Sequence, residues 1–184
     1  MKKNEIYPQM QVKETFLYGR LNSWKSLGDV IYVKARRKYC FRLLLVFESG
    51  DVKMVQRAAS SNKQLARQKR DETLMEIAKG SFIPFSYTVK EFYDFWFYHH
   101  MIGQKRITYN TYNAYRNIIE NYLLPAIGHK MLDTLQRKDL VNALSAIPYQ
   151  KVQRTAIGVI TGSLCYARNT TIFPGISIPE SLPK

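Results

Sequence analysis

The hydrophobic period of this chain changes once along its length, from about two residues to about four, and one layer of secondary structure cannot satisfy both. From Val30 to Arg57 the apolar residues alternate, as in half-buried strands. From Thr88 onward they recur at helical spacing. Between the two regimes lies GSFIPFS, residues 80–86, whose Gly and Pro break helical periodicity and mark a connector. The expectation is an α+β protein: a small three-stranded antiparallel sheet with one helix, then an all-α four-helix bundle. The boundaries assigned are 1–29, 30–80, 81–172 and a Pro-rich tail at 173–184.

Three runs define the sheet: Val30 to Ala35, Tyr39 to Phe47 and Val52 to Arg57. The first connection is basic, Arg36-Arg37-Lys38, and the second, Glu48-Ser49-Gly50-Asp51, has hairpin-loop chemistry. Alternation puts Tyr39, Phe41, Leu43, Leu45 and Phe47 on a core side and Cys40, Arg42, Leu44 and Val46 on the other. Ser60-Ser61-Asn62 supplies an N-cap for a helix from Lys63 to Lys79 that Gly80 ends, with Ala66, Thr73, Leu74 and Ile77 toward the sheet. Residues 1–29 fit neither period and are assigned as a basic N-terminal arm, a candidate flexible segment whose Lys2, Lys3, Lys13, Arg20 and Lys25 could follow a phosphate backbone.

In the second half Thr88-Val89-Lys90-Glu91 has capping-box spacing, and Phe92, Phe95, Trp96 and His99 follow as a buried stripe. A second helix starts near Thr108 or Asn110, places Tyr112, Tyr115, Ile119 and Tyr122 along one face, and stops at Pro125 and Gly128. A third is expected around Arg137 to Ile147 with Leu140, Val141, Leu144 and Ile147 inward. A fourth is expected around Lys151 to Arg168 with Ile157, Ile160, Leu164 and Ala167 inward.

Charge narrows the function. The 28 Lys and Arg against 14 Asp and Glu give a formal +14 and a pI near 9.8, both halves are basic, and a polyanionic partner follows, double-stranded DNA first. Cys40 and Cys165 lie too far apart for a zinc motif and are expected to be buried thiols. The adjacent His99 and His100 diverge on a helix with no further ligands at metal spacing, so no metal and no cofactor is expected. The densest apolar run, Leu43 to Phe47, is far too short for a bilayer, and a cytoplasmic protein without a membrane partner is expected.

TVKEFYDFW at residues 88–96, TYNTYNAYRNIIENYLLPAIG at 108–128 and LDTLQRKDLVNAL at 132–144 together resemble the N-terminal half of phage and conjugative-transposon tyrosine recombinases, over Val30 to about Pro174. In that resemblance Thr111 and Tyr115 fit the Thr-x-x-x-Tyr helix, and Pro125 and Gly128 its stop. The likeness implies a SAM-like core-binding domain from Ser81 that grips the crossover site. It also implies an arm-binding sheet domain from Val30 that holds accessory sites. Two departures stand: Gln136-Arg137 replaces the family's frequent Thr-Pro, and the strands are more apolar than its usual basic sheet. The resemblance further implies a following domain with Arg, Lys, His-x-x-Arg and a Tyr nucleophile, toward which the tail would be a linker. None of His99, His100 or His129 is followed by Arg at the third position, so no catalytic residue and no enzyme activity is expected in these 184 residues.

The residues expected to meet DNA are Lys34, Arg36, Arg42, Lys53 and Arg57, which the drawn register alternates onto an open sheet face. With them are Lys105, Arg106, Thr108, Thr111 and Arg116 around the second helix start, and Lys151, Gln153, Arg154 and Thr155 at the fourth. Other recombinase protomers or DNA-bending proteins are further candidate partners. Two alternatives remain open from sequence: a stand-alone DNA-binding regulator or directionality factor, and a protein-interaction module with incidental charge.

Overall fold

The computed structural model describes residues 13–105 and 107–170; expectations for residues 1–12, Arg106 and the tail from 171 lie outside them. The protein is α+β, an antiparallel sheet and a helical bundle divided between two compact units.

The unit Leu17–Pro84 holds strands β1 (Leu21–Ser26), β2 (Ile31–Val33), β3 (Lys38–Phe47) and β4 (Val52–Ser60) and helix α1 (Lys63–Ala78). The long apolar β3 is central. It pairs antiparallel with β4 along one side, while β1 and β2 share the other, β1 against residues 43–47 and β2 against residues 38–40. The sheet therefore has four strands, one more than expected, and the extra one comes from the stretch assigned to the arm. LNSWKS carries no clean alternation and its register is irregular between Leu21 and Ser23, so pairing with β3 defines it as a strand.

Phe41, Leu43, Leu45 and Phe47 are buried on the face that α1 covers, facing Ala66 and Ile77, with Thr73 and Leu74 half-buried. Asn62 caps α1 by accepting from the Gln64 and Leu65 backbone at 2.8 and 3.2 Å, and Gly80 closes it at φ +71°, a conformation that favours glycine. The β3–β4 ladder slips by a residue between Tyr39 and Cys40. That irregularity corrects the expected alternation at the strand's start: Cys40 is completely buried, and Tyr39 is half-buried with its ring edge-on to Tyr32 at 5.1 Å.

The loop before β2 is clamped to α1 through Asp29, whose carboxylate accepts from Arg67, from Arg70 at 3.2 Å and from the Val30 backbone at 2.7 Å. The Arg67 hydrogen bond, then the Val30 amide, hold this carboxyl well below the usual carboxylate range. A group depressed in this way stabilises the fold above its unfolded pKa and loses that contribution as pH falls through the folded value. Thermal unfolding followed by circular dichroism is therefore expected to show the wild type losing stability below about pH 4. Asp29→Asn should lower the melting temperature at neutral pH and flatten its dependence below about pH 4; parallel curves would refute the clamp.

The second unit comprises Phe85–Tyr166 together with residues 13–16. Its first helix, α2 (Val89–Asp94), runs on through wider π-type turns over Phe95–Gln104. Its second, α3 (Tyr109–Ile118), continues through similar turns over Ile119–Leu123 into α4 (Leu124–Ile127). Helices α5 (Arg137–Ser145) and α6 (Gln150–Asn169) complete four rods. The capping box forms as its spacing requires: the Thr88 hydroxyl accepts from the Glu91 amide at 3.2 Å, and Glu91 accepts from the Thr88 amide at 2.9 Å. Phe92 and Tyr93 of α2 are buried, and the wider turns that follow bring three consecutive residues, Phe95, Trp96 and Phe97, into the core.

Pro125 does not stop the second rod. It sits in the first turn of α4, where a missing amide costs little, and the rod ends at Gly128 instead. A Cβ at Gly128 would lie 2.5 Å from the Leu124 carbonyl oxygen, too close for any other residue without backbone movement. The segment after it supplies partners for the start of α2, with Val89 N–H donating to the Lys130 carbonyl at 2.8 Å and Lys90 N–H to that of Gly128 at 3.0 Å. The inward faces of α5 and α6 shift slightly from those expected: Ala143 is buried beside Leu140, Leu144 and Ile147, whereas Val141 is half-buried. On α6 Ala156 and Val159 are buried and Ile157 is half-buried.

Residues 13–16 also belong to this unit rather than to a free arm. Phe16 is buried with its ring stacked at 3.9 Å from Tyr87 and 4.6 Å from Phe95, and Lys13 pairs with Glu91 at 2.6 Å. Burial raises the Glu91 carboxyl, but Lys13 and the Thr88 amide outweigh it and leave the group lowered.

Candidate nucleic-acid interface

Three basic surfaces carry the expected contacts. On the sheet, antiparallel pairing fixes which side chains share a face: Arg42 lies across from Gln56, Leu44 from both Met54 and Lys25, and Val46 from both Val52 and Ser23. This face is opposite the one that α1 covers. Lys25, Met54 and Gln56 are exposed on it, and Arg42, Leu44 and Val46 are half-buried.

The same register corrects the placement of Lys53 and Arg57. They lie across from Leu45 and Phe41, on the core face, not beside Arg42. Lys53 Nζ sits 5.0 Å over the Tyr18 ring, and the Arg57 guanidinium donates to the Ile83 and Pro84 carbonyls and lies 4.9 Å over Phe82. Both cations hold structure within the sheet unit. The signal was available in sequence, because a hairpin closing with Val46 opposite Val52 pairs odd numbers with odd and even with even. Lys34 and Arg36 are on neither face; they lie exposed in the short helical turn Lys34–Arg36, which continues into exposed Arg37 and Lys38. The loop at this end of the sheet thus presents four cations within five residues.

The second surface is the start of α3. Thr108 is its N-cap, accepting from the Thr111 amide at 3.4 Å and sharing a 2.9 Å hydrogen bond with the Thr111 hydroxyl, so both side chains are engaged in capping. Lys105 is exposed just before it, and Arg106 lies outside the described residues. Arg116, farther along the helix, is held by both Glu120 carboxylate oxygens at 3.0 Å. The third surface is the start of α6. Lys151 and Arg154 are exposed there, but Gln153 donates to the Leu144 and Ile147 carbonyls at 3.1 and 3.0 Å, and Thr155 donates to the Lys151 carbonyl at 3.2 Å. Gln153 therefore closes the C-terminal end of α5, a role its position next to two cations does not suggest. The same even-with-even parity puts Met54 and Gln56, which were not among the expected contacts, on the open face with Arg42. Lys25, expected in the arm, joins the same face because β1 forms.

Burial pushes the Tyr93 phenol up to about 12, beside the Ser163 hydroxyl at 3.4 Å, and burial with nearby Glu120 does the same to Tyr98. Among the described residues no three His, Cys, Asp or Glu side chains converge as metal ligands, and no helix is long and apolar enough to cross a membrane.

Residues 88–147 match the family model of the phage integrase N-terminal SAM-like domain, about a third of the chain. The match begins at the Thr88 cap and ends with Ile147, just after α5. No curated protein and no solved structure matches the chain.

Proposed function

We propose, from the match of residues 88–147 to the phage integrase N-terminal SAM-like domain, which supports a role in site-specific recombination, that these 184 residues bind DNA for a tyrosine recombinase. The helical unit grips the crossover site through Lys105, Lys151 and Arg154, the exposed cations flanking the starts of α3 and α6. The sheet unit holds a separate accessory site through its open face and the Lys34–Lys38 loop. Two modest affinities on one chain then combine, since the first contact raises the effective concentration of the second. Within these residues the role is binding rather than strand cleavage, consistent with the lack of any His-x-x-Arg sequence.

The observation that carries this is the coincidence of the matched segment with a unit whose helix starts present solvated cations. The test is a fluorescence-anisotropy titration of the full chain and of a Lys105→Ala, Lys151→Ala, Arg154→Ala variant on crossover duplex. Each phosphate that the variant leaves unneutralised should lower the log-log salt slope by about 0.9. Unchanged affinity and slope in the variant would remove DNA from this unit and favour a protein-interaction module.

A further inference from the structure

The open face of the sheet combines properties that seldom coexist on a solvated surface. Met54 and Val52 are 61% and 53% exposed, and the Arg42–Gln56 pair lies in the next cross-strand row after Met54, so two rows with exposed apolar tips are followed on one face by a row of planar hydrogen-bonding groups. No Asp or Glu occupies any position of β1, β2, β3 or β4, and residues 17–84 carry 14 Lys and Arg against 6 Asp and Glu. An ordinary apolar protein partner would bury Arg42 without a counter-charge, which is costly. The complementary surface must be anionic overall yet offer small apolar groups beside hydrogen-bonding edges. The major groove of duplex DNA has that composition: phosphates at its rims, thymine methyls and purine edges on its floor.

Resting on the DNA-binding function proposed above, we infer that this face reads thymine methyls and, about two base-pair steps along the groove, purines, with Met54 and Val52 against the methyls and Arg42 with Gln56 on the purine edges. Arg can bond two acceptors of guanine and Gln the acceptor and donor of adenine. Same-face positions on a strand are about 6.6 Å apart, roughly two base-pair steps, so neighbouring rows address bases about two steps apart. Lys25, opposite Leu44 on β1, lies at the edge of this face where a phosphate rim would pass.

The test uses the full chain and the tightest duplex recovered from a randomised pool, compared with the same duplex carrying deoxyuridine at every thymine. Wild type should bind the uracil duplex about fourfold more weakly for each methyl it buries. Met54→Ala should bind both duplexes nearly alike while keeping a steep salt dependence, and Met54→Leu should restore the discrimination. Because Met54 is exposed, the truncation should not unfold the sheet, which circular dichroism checks. Steeply salt-dependent binding that ignores uracil, or discrimination that survives in Met54→Ala, overturns the methyl-reading inference and leaves the DNA-binding function standing. A lack of salt-dependent binding to any duplex overturns both.

Discussion

Affinity for duplex DNA should fall by on the order of 10³-fold or more between about 50 and about 200 mM salt, the decline that roughly six to ten phosphate contacts produce. The expectation comes from where the cations sit. Lys34, Arg36, Arg37 and Lys38 are exposed together at one end of the sheet, Lys25 stands exposed on its open face, and Lys105, Lys151 and Arg154 are exposed in the helical unit. Several other basic residues are already committed within the fold. Arg67 and Arg70 bind Asp29, Arg116 binds Glu120, Arg57 holds two carbonyls and Lys13 pairs with Glu91. A formal charge of +14 thus overstates the cations available to phosphate, and the measured slope should track the exposed set. Titrations at several salt concentrations give that slope directly; a nearly flat line would rule out phosphate binding as the source of affinity.

Phe16→Ala should destabilise the helical unit by about 3–5 kcal/mol, the usual cost of deleting a buried aromatic ring. Phe16 is remote in sequence from the bundle, yet its ring stacks on both Tyr87 and Phe95, next to the Thr88–Glu91 cap that starts α2. Urea denaturation, with helical content as readout, should show the midpoint drop with little change in the denaturant slope. A fragment beginning at residue 81 should show a comparable drop, because it lacks both Phe16 and Lys13. If Phe16→Ala unfolds at the wild-type midpoint, the segment at 13–16 contributes no packing energy.

The local devices of this fold were legible in its residues. The Thr88–Glu91 box, the Asn62 cap, the Gly80 stop and the alternation of Phe41, Leu43, Leu45 and Phe47 each depend on neighbours within a few positions, and they form as their chemistry requires. The boundary between strand and helix periods marks the change from sheet to bundle for the same reason. The candidate site was less legible. Lys105, Lys151 and Arg154 are exposed where helix starts were expected, but Thr108 and Thr111 are taken up by capping, and Gln153 by carbonyls six and nine residues earlier.

By itself, then, the sequence determined the α+β class, the four helical rods, the central apolar strand and the excess of positive charge, all properties of short windows or of simple counts. Tertiary structure decided that Leu21–Ser26 is a strand, that Phe16 is core and that Gly128 rather than Pro125 ends its rod. Those outcomes depend on which distant backbone or ring each segment meets. A weakly patterned segment such as LNSWKS takes its structure from the partner that satisfies its amides, not from its own alternation.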